Sequence, residues 1–329
     1  MTEDVTVSGD LSIDRHLLNL NGHRLRIGGG VTVGSGTLDI HGGALEVGGD
    51  LRLQTDPGDG THGPGTGRFQ MTHPADSVWI GGDFVTDTSA SHSGLLTEGT
   101  LELKGDLTQL SSTDTSDARL NFAASGNHRV LLSGATHQTV TLTDPVYSRL
   151  AILELGHGEV SLLPSLSVIG RMITHGHALP FLIIRDRPWT MSEDVTVTGD
   201  LSIDRDLLNL NSRRLRIGGG VTVGSGTLDI HGGTLEVGGD LRLQSDTGGG
   251  THGPSTGRIT MQDPADYVRV GGNFVTDAQA SHSGSLTHGT LELLGDFTQL
   301  SSSTSSDARL NFAASSAHRV VLAGPADQH

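Results

Sequence analysis

The chain has 329 residues and a formal net charge of −16, from 21 Lys and Arg against 37 Asp and Glu. So acidic a chain repels phosphate backbones and anionic lipid surfaces, and we expect no nucleic-acid partner and no membrane insertion. It has no cysteine, which excludes disulfides, thiolate catalysis and cysteine-ligated zinc. No apolar run approaches the roughly 18 residues that a membrane-spanning helix needs.

The first part of the chain repeats with a period of 20 residues. Three aliphatic series recur at this spacing: Val5, Leu25 and Leu45; Leu11, Val31 and Leu51; Leu18 and Leu38. Apolar and polar residues alternate around each position, which predicts half-buried strands, and the glycine pairs between them predict tight corners. Three short strands in each 20-residue turn predict an all-β fold, a parallel β-helix solenoid. We expect it to be right-handed, as most parallel β connections are.

Further along the chain the coils become longer. The Gly-Asp corner that contains Asp50 returns only at Asp83 and then at Asp106, so both of these coils exceed the regular period. The additional residues are rich in Gly, Thr and Ser, and we interpret residues 55–77 and 86–97 as loops that project from the solenoid.

A much longer repeat contains the shorter one. The sequence GGGVTVGSGTLDIHGG occurs at Gly28–Gly43 and again at Gly218–Gly233. We therefore divide the chain into a first copy, residues 1–146, connecting β-helix coils, residues 147–190, and a second copy, residues 191–329. Because His329 aligns with position 139 of the first copy, we expect the parent protein to continue and any export signal to lie outside this fragment.

A family resemblance covers essentially the whole chain. The segments VTVSGDL, LNLNGHRL, GTLDIHGG, GTHGPGTG, SHSG, GTLELKGDLTQ and ASGNHRVLLSGATHQTVTL follow one another in this order. This order resembles a repeat unit of large bacterial cell-surface proteins, with a β-helix similar to haemagglutinin-like and pectin-lyase-like solenoids. The resemblance implies an exported module at the cell surface or outside the cell, and it assigns no catalytic or cofactor-binding residue.

The Gly-Asp corners contain the first candidate site. Aspartates occupy equivalent corners at Asp10, Asp50, Asp83 and Asp106, and again at Asp200, Asp240 and Asp296. Stacked coils could place these carboxylates in a file, and oxygen ligands suit Ca²⁺, so Asp50, Asp83, Asp106, Asp240 and Asp296 are Ca²⁺ candidates. The competing interpretation, which we favour, is that each carboxylate caps nearby backbone N–H groups. One Asp per corner makes a poor cage.

The long loops and the histidines are weaker metal candidates. Asp56, Asp59 and His62 lie in the loop TDPGDGTHGPGTG, but the second copy has glycine in place of Asp59. We favour a structured Gly/Thr/Pro loop without metal. His92 and its counterpart His282 each lie between two serines, and we expect them to hydrogen-bond within a loop. The His175–His177 pair lacks a third ligand at a defined spacing.

Charged residues on the outer faces are better explained as structural pairs. Arg26 and Glu46 are one 20-residue period apart, so they should face each other on adjacent coils, and Arg216 and Glu236 repeat the pair. Such cross-strand pairs stabilise a sheet by ~0.2–1 kcal/mol each.

We interpret the chain as a non-enzymatic structural or adhesive module, a rigid rod that presents its loops and assembles end to end through its open edges. One alternative is a carbohydrate-binding β-helix with a polysaccharide or cell-surface ligand. A further alternative, a polysaccharide lyase or hydrolase, needs clustered carboxylates and aromatic sugar platforms. Aromatic residues amount to 3%, and the outward Trp79 is replaced by Arg269 in the second copy. No cofactor is expected, apart from the Ca²⁺ considered above.

Overall fold

A computed structural model describes residues 1–144, 147–156, 160–163, 168–179, 181–184, 188–248 and 251–329. These residues form two compact units, which we call unit 1 (Met1–His175) and unit 2 (Gly176–His329). The boundary between the units falls within residues 147–190, the segment that we predicted to join the two copies. The exact limits of the copies stay a prediction. Two short 3-10 helices, Ala118–Leu120 and Ala308–Leu310, are the helical elements of the described residues.

Unit 1 is built from three parallel sheets, one on each side of the coil. Sheet A contains Val5–Val7, Arg24–Ile27, Ala44–Val47, Ser77–Ile80, Thr100–Leu103, Arg129–Leu132, Leu150–Leu155 and Val168–Ile173. Sheet B contains Leu11–Ile13, Val31–Val33, Leu51–Thr55, Phe84–Thr86, Leu107–Gln109, Gln138–Leu142 and Val160–Leu163, and the short strand Gly63–Pro64 pairs with it. Sheet C contains Leu17–Asn19, Thr37–Asp39 and Arg68–Gln70.

Unit 2 repeats this arrangement. Its sheet A contains Val195–Val197, Arg214–Ile217, Thr234–Val237, Tyr267–Val270, Thr290–Leu293 and Arg319–Leu322. Its sheet B contains Leu182–Ile184, Leu201–Ile203, Val221–Val223, Leu241–Leu243, Phe274–Thr276 and Phe297–Gln299. Its sheet C contains Trp189–Thr190, Leu207–Asn209, Thr227–Asp229 and Arg258–Thr260, and a hairpin of Ser245–Gly248 and Thr251–Gly253 completes the unit.

The strand register is the one that the 20-residue period predicts. Leu25 pairs with Val5 on one side and with Leu45 on the other. The longer coils also keep their register, because Phe84 pairs with Leu51 of the coil before it and with Leu107 of the coil after it. The parallel β-helix is therefore confirmed, while its handedness stays a prediction.

The core lies inside the coils, where inward side chains stack in columns. In sheet B of unit 1, Val31, Leu51, Phe84, Leu107 and Val140 are each at most 3% exposed. Alternate residues point outward because successive side chains of a strand face opposite sides of the sheet. Burial of one such aliphatic side chain stabilises the fold by ~1.5–3 kcal/mol, so the columns hold neighbouring coils together.

The prediction that residues 55–77 and 86–97 are projecting loops is wrong for much of their length. Residues 55–62 are exposed, but Arg68–Gln70 is a sheet C strand in which Phe69 is fully buried. Residues 86–97 lie against this strand, where Thr88 and Leu96 are buried and form parallel bridges to Gly65 and Met71. Small polar side chains can fill these inward positions because their hydroxyls bond to backbone carbonyls, as Thr88 Oγ1 does to Gly67 (2.9 Å).

Candidate functional site

The corner aspartates link each coil to the next. Oδ1 of each side chain accepts a hydrogen bond from the backbone N–H at the equivalent corner one coil further on. The bonds run from Asp83 N to Asp50, from Asp106 N to Asp83 and from Thr139 N to Asp106, each 2.8 Å long. Glycine precedes each aspartate because the corners approach closely, and a side chain at Gly82 would clash with Oδ1 of Asp50.

Unit 2 has the same series of corner hydrogen bonds, which we call the corner ladder, with one substitution. Asp200 and Asp240 accept bonds of 2.7 Å from the backbone N–H groups of Gly220 and Asn273. Asn273 replaces an aspartate, and its Oδ1 accepts the N–H of Asp296 at 2.8 Å. A neutral amide thus serves as well as a carboxylate at this corner, which favours a capping role.

The metal sites considered at the corners, in the long loops and at the histidines stay predictions. In the described part of the chain, no three His, Asp or Glu side chains come close enough together to hold a metal ion. Asp50, Asp83, Asp106, Asp240 and Asp296 lie one at each corner, and Oδ1 of each accepts a backbone N–H. Oδ2 of Asp50 pairs with Nη2 of Arg52 (2.6 Å), and Asp240 pairs in the same way with Arg242 (2.5 Å).

A polar groove lies on the outer face of sheet B in unit 1. Ser12, Thr32 and Arg52 stand side by side on adjacent strands. Together with them, Asp10, Asp50, Asp56, Gly58 and His62 line a cavity of about 430 Å³, which we call the sheet B groove. Unit 2 has an equivalent groove of about 490 Å³, lined by Asp200, Ser202, Thr222, Asp240, Arg242, Asp246 and His252, and in addition by Phe181 and Ile183.

The exposed part of the long loop forms one wall of each groove. In unit 1 the chain turns back on itself so that Gln54 pairs with Pro64 and Thr55 with Gly63. In unit 2 the hairpin places Asp246 directly opposite His252. Gly249, which replaces Asp59, lies outside the described residues, whereas Asp59 itself accepts the N–H of Thr61 at 2.9 Å. Hydrogen bonds from Thr61 hold the pKa of Asp59 below its usual range.

Two histidines that we assigned to a loop are part of the core. Nε2 of His92 accepts the backbone N–H of Phe69 (3.0 Å), and Nε2 of His282 accepts that of Ile259 (3.2 Å). Burial lowers the pKa of each imidazole to about 4, so both are neutral at pH 7. Of the His175–His177 pair, His175 bonds to Glu154 (2.9 Å).

Sequence reasoning missed a third buried histidine, His128. It is fully buried, and burial lowers its pKa to about 4. A signal was present in the sequence, because alternation places His128 on the same side of the strand as Val130 and Leu132, which both point inward.

The outer face of sheet A differs between the units. The predicted ion pairs are present, with Arg26 Nε 2.6 Å from Glu46 Oε2 and Arg216 Nε 2.8 Å from Glu236 Oε2. Trp79 is half-buried next to Glu46, and Arg269 occupies its place beside Glu236. The polar residues of the sheet B groove are instead the same in both units, which makes the groove the stronger candidate site.

Comparison with known proteins gives one family. The haemagglutinin repeat family matches residues 6–61 and 196–263, which include the first coils of each copy and most of each groove. The resemblance to a repeat unit of bacterial surface proteins is confirmed for these two segments. No curated protein and no solved structure gives a significant match. Among the described residues, no helix has the length and apolar character needed to cross a membrane.

Proposed function

We propose, from the two segments of this chain that match the haemagglutinin repeat, that it is a structural and adhesive module of an exported bacterial surface or matrix protein. The match itself indicates a surface adhesin-type structural module. The finer assignments, which are a non-enzymatic role, assembly through the ends and a location outside the cell, are parts of our proposal.

The observation that carries the proposal is the unbroken parallel pairing in each unit. Sheet A of unit 1 continues through eight strands, and sheets A and B of unit 2 through six strands each. Because backbone bonds, aliphatic columns and corner aspartates all connect one coil to the next, each unit resists bending locally. Such a scaffold is suited to holding a binding surface away from a cell.

A non-enzymatic role is supported by the way the carboxylates are used. Oδ1 of Asp50 accepts a backbone N–H and Oδ2 pairs with Arg52. A general acid or base must exchange protons with a substrate, and both oxygens of this carboxylate already bond to donors of the protein. The corner aspartates therefore act as structural groups in this proposal.

Assembly through the ends is supported by the stacking within each unit, where the strands of one coil pair their backbone with those of the next. An uncovered edge strand presents unpaired N–H and C=O groups, to which another chain can add in the same way.

Light scattering over a concentration series tests this assembly. We expect the mean mass to rise with concentration for the parent chain and much less for Leu322→Lys, which places a charge on the last strand. Thr108→Lys, an outward substitution inside sheet B of unit 1, is the matched control and should assemble like the parent. A parent chain that stays monomeric at all concentrations contradicts the proposal.

The adhesive role has a separate test. Beads coated with the folded chain should bind erythrocytes or epithelial cells, and beads coated with heat-unfolded chain should not. Equal binding by both preparations would show that the fold carries no adhesive surface.

A carbohydrate-binding function is the second candidate, and the sheet B groove is the observation that favours it. The groove combines hydroxyl, guanidinium, imidazole and carboxylate groups, which can together donate and accept the hydrogen bonds of sugar hydroxyls. A glycan-array screen discriminates between the two candidates, because a pure spacer binds no glycan.

A further inference from the structure

We propose that each sheet B groove holds one neutral polysaccharide chain, and that Phe181 provides an additional contact for it in the groove of unit 2. The inference rests on the carbohydrate-binding function proposed above and names the site and the class of ligand.

The first argument is the repetition of a complete polar set. Ser12, Thr32 and Arg52 have the counterparts Ser202, Thr222 and Arg242 in the same register. On the outer face of sheet A, by contrast, Trp79 has become Arg269 in the same chain. The ion pair with Asp50 also fixes the position of the Arg52 guanidinium, so its N–H donors are ordered before a ligand arrives.

The second argument is charge. Asp10, Asp50 and Asp56 line the groove of unit 1 and face one guanidinium, that of Arg52. The groove of unit 2 likewise has three carboxylates, those of Asp200, Asp240 and Asp246, and one guanidinium. A polyanion such as a uronic-acid polymer would be repelled by the surplus of carboxylates. An uncharged polysaccharide meets no such repulsion, and the carboxylates can accept hydrogen bonds from its hydroxyl groups.

The third argument is shape. The lining side chains come from successive coils, which lie ~4.8 Å apart, so the groove runs along the stack rather than along one strand. A ligand that contacts three coils at once must reach across two of these spacings, about 10 Å. A linear polysaccharide meets this requirement, because each sugar unit presents a similar set of hydroxyl groups.

The groove of unit 2 has a further contact for a sugar. Leu182–Ile184 pairs with Leu201–Ile203, and this coil contributes Phe181 and Ile183 to the groove. Phe181 adds an aromatic surface on which a sugar ring can stack, so we expect it to strengthen binding in this groove.

The test is a calorimetric and NMR titration of the full chain with cellohexaose, xylohexaose and mannohexaose as neutral probes and with hexagalacturonate as the anionic probe. We expect at least one neutral hexasaccharide to bind at two sites and hexagalacturonate not to bind. Thr222→Lys should raise the Kd of the site in unit 2 by about tenfold, and Thr32→Lys that of the site in unit 1 by a similar factor, because each fills one groove. Phe181→Ala should weaken only the site in unit 2, by about fivefold.

Thr108→Lys and Thr298→Lys are the matched controls, since they make the same change on the outer face of sheet B away from the grooves. Both should bind like the parent chain, and circular dichroism checks that every variant is folded. Parent-like binding by Thr32→Lys and Thr222→Lys would overturn the assignment to the groove and leave carbohydrate binding intact. If no probe binds at all, carbohydrate binding itself fails, whereas assembly and cell adhesion are judged by their own experiments. Tighter binding of hexagalacturonate would overturn the neutral class of ligand.

Discussion

Residues 129–132 and 319–322 occupy the same place in the two units and read Arg-Val-Leu-Leu and Arg-Val-Val-Leu, but their burial differs. Val130 and Leu132 are fully buried, whereas Val320 and Leu322 are 40% and 55% exposed. In unit 1 the strand Leu150–Leu155 pairs with residues 129–132 and covers them. In unit 2, Arg319–Leu322 is the edge strand of sheet A among the described residues. A coil of this fold therefore does not bury its own apolar side chains; a neighbouring coil does.

The first coils of the two units give the same contrast. Val5 is 38% exposed, whereas its counterpart Val195 is 3% exposed. In unit 2, Leu179 bridges to Val197, and the strand Leu182–Ile184 covers the coil that follows it. Nearly identical sequences thus differ in burial according to their neighbours, as expected for a stack in which each repeat contacts only adjacent repeats.

The largest expected effect is the difference in the free energy of unfolding between Leu132→Asp and Leu322→Asp. The first substitution buries an unpaired carboxylate between two coils and should lower the free energy of unfolding by about 4 kcal/mol or more. The second places the same carboxylate at an exposed edge, where we expect a change within about 0.5 kcal/mol. Urea unfolding followed by circular dichroism measures both values. Equal losses for the two variants would show that burial at this position does not depend on the covering coil.

The pH dependence of stability gives the next largest effect. His128 is neutral when folded because burial lowers its pKa from 6.5 to about 4, and unfolding restores the usual pKa. The unfolded state therefore binds more protons, and the contribution of His128 is complete above about pH 6.5 and is lost as the pH falls towards about 4. The shift corresponds to about 3 kcal/mol. Unfolding in urea at a series of pH values between these limits should reveal the slope.

A matched pair of variants measures the part of that slope that belongs to His128. His92 and His282 have the same lowered pKa, so His128→Leu should reduce the slope by about a third rather than remove it. Phe122→Leu alters the neighbouring ring, 6.1 Å away, and should lower stability by the same amount at every pH. If both variants keep the slope of the parent chain, His128 contributes nothing to it.

The columns and their register could be predicted from the sequence because each inward position is specified by its residue type. The Gly-Asp corners marked the ends of the two longer coils, so Phe84 could be placed beside Leu51 in spite of the long insertion. The third side of these coils could not be predicted. Thr88 is buried there, and its hydroxyl bonds to a backbone carbonyl that becomes a neighbour only after folding. The hydroxyl of Thr86, at the end of the preceding sheet B strand, does the same.

The sheet B groove escaped prediction for a related reason. Thr32 and Arg52 follow the 20-residue period, and their adjacency on the outer face was predictable. Asp56 and His62 lie in the exposed part of the long loop, and the loop must turn back over sheet B before they can line the same cavity. Local composition indicated a loop but contained no signal for the side of the coil on which it would lie.

A change in stability of intermediate size is expected at the corner ladder, where Asp83 in unit 1 corresponds to Asn273 in unit 2. Both accept a backbone N–H at 2.8 Å through Oδ1. Asp83→Ala removes the acceptor and should lower the free energy of unfolding by about 1–2 kcal/mol. Asp83→Asn retains it and should change stability by less than about 0.5 kcal/mol. The two variants are compared by urea unfolding.

The same variants test the prediction that Ca²⁺ binds at the corner aspartates. If the aspartates act only as caps, millimolar Ca²⁺ should leave the thermal midpoint of the parent chain unchanged. A midpoint that rises by several degrees with Ca²⁺ in the parent but not in Asp83→Asn would favour metal binding at this corner.

The smallest expected effect belongs to the outer ion pairs of sheet A. In unit 1, Glu46 pairs with both Arg24 and Arg26, whereas in unit 2 Arg214 lies farther from Glu236, at 3.6 Å. These arginine side chains are about half exposed, so we expect Arg26→Ala and Arg216→Ala each to lower the free energy of unfolding by only ~0.2–1 kcal/mol. Thermal unfolding should show a difference from the parent chain at low salt that shrinks at about 1 M NaCl, where the Debye length is about 3 Å. A loss that persists at high salt would mean that the arginine stems stabilise sheet A by packing on it rather than by their charge.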